Sequence, residues 1–234
     1  MPAGPHNEET TAPRDGSQGA PRTEPTRPAR VALSRRVIAE RALAITDEHG
    51  LEGLSMRKLG AELGVEAMSL YHYVDSKSDL LDAMLDLLYS EISLPADIPE
   101  DDWEQLVRAS LRAYCEVLLN HRASVELFAN RTGKSATSLT ILAWAYDRFL
   151  ALGLSPSDAM TVFHLAVSFV LGHAASFQGA LAPGSTDPPP IDPADLTPEI
   201  EVFVAERPHM TAELAFEESL TTLIAGLRAR FDLP

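Results

Sequence analysis

The segment 55–74 restricts the fold of this chain most, because its pattern is typical of two short helices joined by a tight turn. Ser55 is a favoured N-cap residue, and Leu59 and Leu63 follow at the i, i+4 spacing that places side chains on one helix face. Gly64 then predicts the end of the first helix, because glycine adopts the left-handed conformation without a Cβ clash.

The second helix of this segment is predicted from about Glu66, with Leu70 and Val74 as its buried side chains. Its other face is polar and aromatic, which suits a short helix that contacts another molecule. We therefore expect a helix-turn-helix whose second helix enters the major groove of DNA. The side chains expected on the outside are Ser69, Tyr71, His72 and Tyr73.

The rest of the chain also has helical patterns, and it lacks the alternation that is typical of strands. A first helix is expected over 34–49 and ends at Gly50. A capping box at 76–79, Ser-Lys-Ser-Asp, starts a fourth helix that stops at Pro95. The sequence therefore predicts an all-α fold. Further helices are expected over 103–121, 123–130, 134–152 and 156–181, from Thr197, and over 211–231.

Composition predicts three parts of the chain. Residues 1–33 contain six prolines and almost no large apolar residue, so they cannot offset the entropy of ordering and are expected to be a disordered tail. The arginines of this tail could instead follow a DNA minor groove. Residues 34–94 are expected to form a three-helix DNA-binding domain, and residues 95–234 a C-terminal helical domain.

The net charge of −15 is unevenly distributed along the chain. Residues 1–30 hold four arginines and four acids, and residues 31–80 hold six cations and eight acids, so the remainder carries −13. The cations are thus relatively dense around the segment 55–74. An acidic chain is poorly suited to coat nucleic acid nonspecifically, but a small docking surface remains possible.

Cys115 is the single cysteine, so an intramolecular disulfide is excluded. We see no N-terminal signal peptide and no run of about eighteen apolar residues. From these features we expect a cytoplasmic protein without a membrane span.

The DNA-binding segment resembles the tetracycline repressor (TetR) family of bacterial transcription regulators. The likeness is carried by Gly-Leu-Ser-Met-Arg-Lys-Leu-Gly-Ala-Glu-Leu-Gly-Val at 53–65, by Ser-Leu-Tyr-His-Tyr-Val at 69–74, and by Lys77 before Leu80 and Leu81. It continues more weakly through Trp103, Leu-Leu-Asn-His-Arg at 118–122 and Leu-Gly at 171–172, and spans about residues 34–230.

The resemblance implies which residues contact DNA. Arg57 would reach a guanine edge, Ala67 and Met68 would suit a thymine methyl, and Lys77 would contact a phosphate. The alternatives without a role in DNA binding are core packing for Tyr71 and Tyr73 and a solvated surface charge for Arg57. The DNA-contact set is Ser55, Met56, Arg57, Ala67, Met68, Ser69, Tyr71, His72, Tyr73 and Lys77.

The resemblance also implies that the C-terminal domain binds a small molecule. The positions that hold a magnesium–tetracycline chelate in the family fall on Ser93, Phe128, Ser168 and Ser176, which are poor ligands for a hard cation. We therefore expect no metal, no cofactor and no tetracycline, but a neutral or apolar effector. The alternative is a filled core. The expected lining is Ser110, Tyr114, Phe128, Trp144, Phe163, His164, Ser168, Phe169 and Ser176.

The leading hypothesis is a ligand-responsive repressor that binds a palindromic operator as a homodimer. Its dimer contacts are expected from helices 156–181 and 212–231, with an apolar seam on the second helix. A DNA-binding regulator that answers to a protein partner, or that activates, is the alternative. An enzyme is not expected, since the conceivable nucleophile and bases lack a supporting motif. The seam is Phe216, Leu220, Leu223, Leu227 and Phe231, and the conceivable enzyme set is Cys115, His121 and His164.

Overall fold

A computed structural model describes residues 32–99, 101–177, 197, 198, 200–202 and 211–234 of the 234-residue chain. The expected tail at 1–33 and the expected loop at 182–197 lie almost entirely outside these residues.

The described residues form α-helices and contain no strand, which confirms the all-α prediction. Two single turns of 3-10 helix, Leu51–Gly53 and Arg122–Ser124, precede α2 and α6. The observed helix bounds lie within a few residues of those expected. The helices are α1 (Arg35–His49), α2 (Met56–Leu63), α3 (Ala67–Leu70), α4 (Lys77–Glu91), α5 (Trp103–Asn120), α6 (Val125–Asn130), α7 (Ala136–Ala151), α8 (Pro156–Phe177) and α9 (Ala212–Phe231).

Local capping explains where the first helices begin and end. The hydroxyls of Ser34, Ser55 and Ser76 each accept a hydrogen bond from the backbone N–H three residues on, at 3.0–3.2 Å. Gly50 and Gly64 end α1 and α2 with φ of 74° and 67°, which L-residues with a Cβ rarely adopt.

The first four helices share a core under the turn between α2 and α3. Helix α1 packs against α2 and α4, and Leu70 and Val74 are buried as expected. Arg41 pairs with Glu62 and so ties α1 to α2. The fully buried members of this core include Ile38, Leu54, Leu59, Leu70, Leu80 and Met84.

Helix α8 runs through the C-terminal half and packs against α5, α6, α7 and α9. By length and composition alone this helix could cross a membrane, although it is not an unbroken run of apolar residues. That criterion is weak, because a core helix of a soluble protein also meets it. In the structure, an apolar part of α8 faces outward, with Met160 and Leu165 exposed.

The apolar seam expected on the last helix for dimerisation faces the protein's own interior instead. Phe216, Leu220 and Leu227 of α9 are buried, and Phe169 of α8 stacks on Phe216 with ring centroids 5.4 Å apart. These side chains are buried against other helices of the same chain, so they cannot form the contact between two chains. Periodicity alone predicted an apolar stripe but not which neighbour covers it.

Candidate DNA-binding surface and effector cavity

The turn between α2 and α3 is held in shape by two glycines. Gly64 takes the left-handed conformation, and the backbone N–H of Val65 donates to the carbonyl of Gly60 at 2.9 Å. A Cβ on Gly60 would lie 2.9 Å from the carbonyl oxygen of Val65 and 3.1 Å from the backbone nitrogen of Ala67. Sequence reasoning missed Gly60, although a glycine inside a short helix signals such a close approach.

Helix α3 and the turn after it present large side chains to solvent. Met68 is 71% exposed, and Tyr71 and Tyr73 are 41% and 42% exposed. The two tyrosines therefore do not pack inside the three-helix core, which was the alternative to DNA contact. Arg57 and His72 are also exposed, while Ala67 and Ser69 are half-buried.

Three of the predicted DNA contacts also have a role inside the protein. The Ser55 hydroxyl caps α2 by accepting from the N–H of Lys58, and Met56 is half-buried against the core. The Lys77 ammonium donates to the carbonyl of Leu54 at 2.8 Å and so joins the start of α4 to the start of α2. Each residue still lies beside the surface formed by α2 and α3.

The structure divides the six cations of residues 31–80 into those paired with acids and those that can face DNA. Among the six cations of residues 31–80, three arginines of α1 pair with acids: Arg35 bonds Asp79 at 2.5 and 2.7 Å, Arg36 bonds Glu40, and Arg41 bonds Glu62. These pairs are structural. The cations left to face a phosphate are Arg57, Lys58 and Lys77.

A second feature is a cavity of about 490 Å³ that is lined by α5 to α9 of the C-terminal half and by Tyr89 of α4. It resolves the choice between an open cavity and a filled core in favour of the open cavity. Its walls are mostly aromatic and aliphatic, as in ligand sites generally. The predicted residues that line it are Ser110, Tyr114, Phe128, Trp144, Phe163 and His164.

Ser168 and Ser176 do not belong to this lining, so their prediction as ligand-binding residues is wrong. Both are exposed on α8, and the Ser176 hydroxyl donates to the carbonyl of Gly172 at 2.8 Å. The cavity face of α8 is formed by Phe163, Val167 and Leu171 at i, i+4 spacing, and each serine is rotated away from that face. Phe169, also expected in the lining, packs on Phe216 instead.

The aromatic wall is ordered by edge contacts. Phe128 meets Tyr89 and Tyr114 in T-shaped contacts with centroids 5.1 and 5.4 Å apart. Burial raises the pKa of both tyrosines, so each hydroxyl stays protonated and can donate a hydrogen bond. Arg148 lies over the Trp144 ring at 5.3 Å.

The cavity has little that could hold a hard cation. The described residues that line it include no aspartate or glutamate, and the described part of the chain contains no group of three or more potential metal ligands. Its hydrogen-bonding groups are hydroxyls, an amide, the Trp144 indole, the His164 imidazole and the guanidinium groups of Arg131 and Arg148, which suit an organic molecule better than magnesium.

Arg131, which sequence reasoning missed, connects this cavity to the DNA-binding half. It lines the cavity and also pairs with Asp82 of α4. Its guanidinium donates to the carbonyl and the hydroxyl of Ser78 at 3.2 and 3.0 Å. An arginine in a loop carries no sequence signal for such a bridge.

The residues considered for catalysis do not assemble into an active site. Burial raises the pKa of the Cys115 thiol to about 11, so it is not a ready nucleophile near neutral pH. His121 is bonded to Asp47 and Glu91, and His164 is exposed at the cavity. Among the described residues, no hydrogen bond joins Cys115 to either histidine.

Comparison with known proteins agrees with this arrangement. A family model described as "Bacterial regulatory proteins, tetR family" matches residues 38–84, and one described as "Tetracyclin repressor-like, C-terminal domain" matches residues 94–231. The transcriptional repressor DrrR1 of Streptomyces coeruleorubidus is 30% identical over 152 residues, which are 65% of this chain and 56% of that repressor.

Longer alignments give similar identities. The class A tetracycline repressor of transposon 1721 from Escherichia coli is 29% identical over 205 residues, 85% of this chain and 92% of that protein. The solved structure of ActR from Streptomyces coelicolor in complex with actinorhodin has a TM-score of 0.70 at 25% identity, covering 85% of this chain and 98% of that chain. Since the two family models together cover both the α2–α3 surface and the cavity, this chain belongs to the TetR family and is a DNA-binding transcriptional regulator.

Proposed function

We propose that this regulator is a homodimeric repressor that binds a palindromic operator and releases it when a small neutral or apolar effector enters the C-terminal cavity. Residues 34–94 form the DNA-binding domain and residues 95–234 the regulatory and dimerisation domain. The protein acts in the cytoplasm, where bacterial operator DNA lies. The observation that carries the proposal is the open cavity of about 490 Å³ joined by Arg131 to α4.

DNA recognition is assigned to the exposed face of α2, α3 and the turn after α3. Met68 and the two tyrosines supply apolar and aromatic contacts, Arg57 reads a base edge, and Lys77 approaches a phosphate. The proposal is supported by their exposure, because none of these side chains is needed to fill the core. The full set is Ser55, Met56, Arg57, Ala67, Met68, Ser69, Tyr71, His72, Tyr73 and Lys77.

Dimerisation is assigned to the outward faces of α8 and α9. On α9 these are small residues at spacings of three and four, from Ser219 through Gly226 to Ala229, and on α8 they include Gly172 and Ala175. Small side chains let helices of two chains approach closely, and exposed Met160 and Leu165 of α8 add apolar area. This assignment replaces the apolar seam of α9, which is buried within the single chain.

Effector binding is assigned to the aromatic cavity. The relatives support a regulatory ligand, since one is named a tetracycline repressor and another was solved in complex with actinorhodin. The lining of this chain suits a molecule with a broad apolar body and a few hydrogen-bonding groups, which Tyr114, Ser110 and His164 can meet.

Signal transmission is assigned to a chain of contacts from cavity to DNA surface. Arg131 lines the cavity and holds Ser78 and Asp82 near the start of α4. The neighbouring Lys77 holds the carbonyl of Leu54 directly before α2. An effector that draws Arg131 into the cavity would shift α4 and with it the spacing of the two DNA-binding surfaces, which must match successive major grooves about 34–36 Å apart.

A matched pair of substitutions on α7 tests the proposal. Ala145 lines the cavity, whereas Ala143 is exposed on the same helix. We expect a panel of apolar metabolites to contain compounds that raise the melting temperature of the natural protein and weaken its gel shift, because a ligand that binds the native state stabilises it. Ala145→Phe should abolish both effects, and Ala143→Phe should retain them. If no compound in a broad panel acts, or if Ala145→Phe responds fully, the effector assignment is wrong.

A further inference from the structure

His121 lies at a junction where three helices end. It caps the C-terminus of α5, while Asp47 is in the last turn of α1 and Glu91 is the last residue of α4. Its Nδ1 is 2.8 Å from the Asp47 Oδ2, and its Nε2 is 2.9 Å from the Glu91 Oε2. One imidazole therefore connects the two longer helices of the DNA-binding half to the first helix of the C-terminal half.

The protonation state of the ring follows from its partners. Ionised carboxylates only accept hydrogen bonds, and a neutral imidazole has a single N–H, whereas the imidazolium has two. With both carboxylates ionised, the two observed contacts are both hydrogen bonds only when His121 is protonated. In the neutral ring, one nitrogen lone pair would face a carboxylate oxygen, and one of the two links would be lost.

The surroundings of the ring support this protonation. The His121 side chain is 17% exposed, and the charged groups that face it are Asp47 of α1 and Glu91 of α4. Beside it, Arg122 donates from Nε to the carbonyl of Leu119 at 3.0 Å. On α1, Glu48 and His49 face each other at 3.5 Å.

The hydrogen bonds of His121 favour its charged form. The hydrogen bond to Asp47 raises the pKa of His121, desolvation opposes this effect, and the hydrogen bond to Glu91 raises the pKa further. A folded-state pKa above the ordinary histidine value of about 6.5 means that both hydrogen bonds are present below that pH and that one of them is lost as pH rises through the folded pKa.

We propose that His121 is a proton-dependent clamp that fixes the DNA-binding helices to the C-terminal domain, so that operator affinity and the response to effector both fall as pH rises. When the clamp opens, each DNA-binding domain gains freedom that it must lose again to match a palindrome, which lowers affinity. Without this connection, an effector bound in the C-terminal cavity would also change the position of the DNA-binding helices less. The operator part of this inference rests on the proposed function.

The first experiment observes the ring directly. Long-range ¹H–¹⁵N NMR on the full-length protein should show both nitrogens of His121 protonated at about pH 6. Asp47→Asn, which removes one carboxylate, should lower the titration midpoint of His121 toward the ordinary histidine value. A single neutral tautomer at pH 6, or a midpoint unchanged by Asp47→Asn, would overturn the clamp.

The second experiment measures function with a neutral substitute. From pH 6 to pH 9, the operator Kd of the natural protein should rise about 5-fold more than that of His121→Gln, a change at the lower end of allosteric coupling. His49→Gln, in the last turn of α1, is the matched control and should behave as the natural protein. His72 on the DNA surface is present in all three proteins, so any effect of this residue on the operator Kd cancels in the comparison. Parallel pH profiles for the natural protein and His121→Gln would contradict the inference.

The two experiments fail separately. If the natural protein binds no operator at any pH, the proposed function is wrong, while the NMR result still decides whether the clamp exists. If operator binding is tight and His121→Gln proves unfolded, Asp47→Asn provides the same functional test, with a flatter pH profile as the expected result.

Discussion

At the scale of single residues, the structure separates cations that hold the fold from cations that can bind DNA. The arginines of α1 pair with acids, whereas the described structure shows no acidic partner for exposed Arg57. An exposed arginine that is not paired with an acid can make a bidentate contact to guanine. Sequence specificity should therefore depend on Arg57 more than on any arginine of α1.

Arg57→Ala should weaken operator binding by ~1–3 kcal/mol and relax the preference at one base position, because a bidentate base contact would be lost. Fluorescence anisotropy with the operator and its single-base variants would measure both effects. Arg36→Ala, in which an exposed arginine paired with Glu40 is removed from α1, is the control and should change neither. Unchanged affinity and base preference in Arg57→Ala would show that Arg57 is only a solvated charge.

Lys77→Ala should behave differently, because its ammonium is a point charge and already bonds the Leu54 carbonyl. We expect a uniform loss of affinity across operator variants and a salt dependence shallower by about one unit of slope, as for a single lost phosphate contact. Titrations at several salt concentrations would test this. A base-selective loss would assign Lys77 to readout instead. The loss of the Leu54 link should also lower the melting temperature slightly, and circular dichroism would measure it.

At the scale of helices, the α2–α3 turn depends on how closely two backbones approach. Gly60→Ala should destabilise the protein by about 1–3 kcal/mol, the usual cost of overpacking, because the new Cβ meets backbone atoms of Val65 and Ala67 that cannot rotate away. Denaturant unfolding would measure this cost. Ala61→Ser, at an exposed neighbouring position of α2, is the control and should change stability by less than about 0.5 kcal/mol. Equal stability of both variants would mean that the turn relaxes freely.

Helix positions and caps could be predicted from sequence because they depend on neighbouring residues. Ser55 and Ser76 cap as expected, and Gly50 and Gly64 end their helices. The orientation of a helix that is apolar on several sides could not be predicted in this way. Its faces are divided among neighbours distant in sequence, which is why periodicity assigned the α9 seam to the wrong contact. Ser168 and Ser176 were placed in the cavity by the family resemblance, which does not determine how α8 is rotated in this chain.

The same limit applies to the candidate sites. The DNA surface lies within one local segment, and its pattern predicted which side chains are exposed. The cavity and the His121 junction bring together residues from helices far apart in the chain. The aromatic lining was predicted in part, through Tyr114, Phe128 and Trp144, because the resemblance to the TetR family implies that these positions face the interior of the C-terminal domain. Arg131 and the partners of His121 lay beyond such reasoning, since nothing local fixes where a charged side chain finds its partner.

At the scale of the whole molecule, regulation requires that two DNA-binding surfaces have a defined separation. Within one chain, α4 is held to the C-terminal half by Arg131 at its start and by His121 at its end. Loss of either contact would therefore free one end of α4 from the C-terminal half. The separation then depends on how two chains pair, which assigns a decisive role to the outward faces of α8 and α9.

Gly226→Arg tests this pairing. Gly226 is exposed on α9, and no atom lies within 4 Å of the Cβ that a substitution would add, so the single chain should tolerate the change. In the proposed dimer, however, a long cation would be buried between small residues of two helices, which is strongly unfavourable. We expect analytical ultracentrifugation to show monomers and the operator complex to be lost, while the helical circular dichroism spectrum is retained. Ala151→Arg, at an exposed position of α7, is the control and should remain dimeric. A dimeric Gly226→Arg that still binds its operator would place the interface elsewhere, because a charged side chain of that size cannot be accommodated where two helices pack closely.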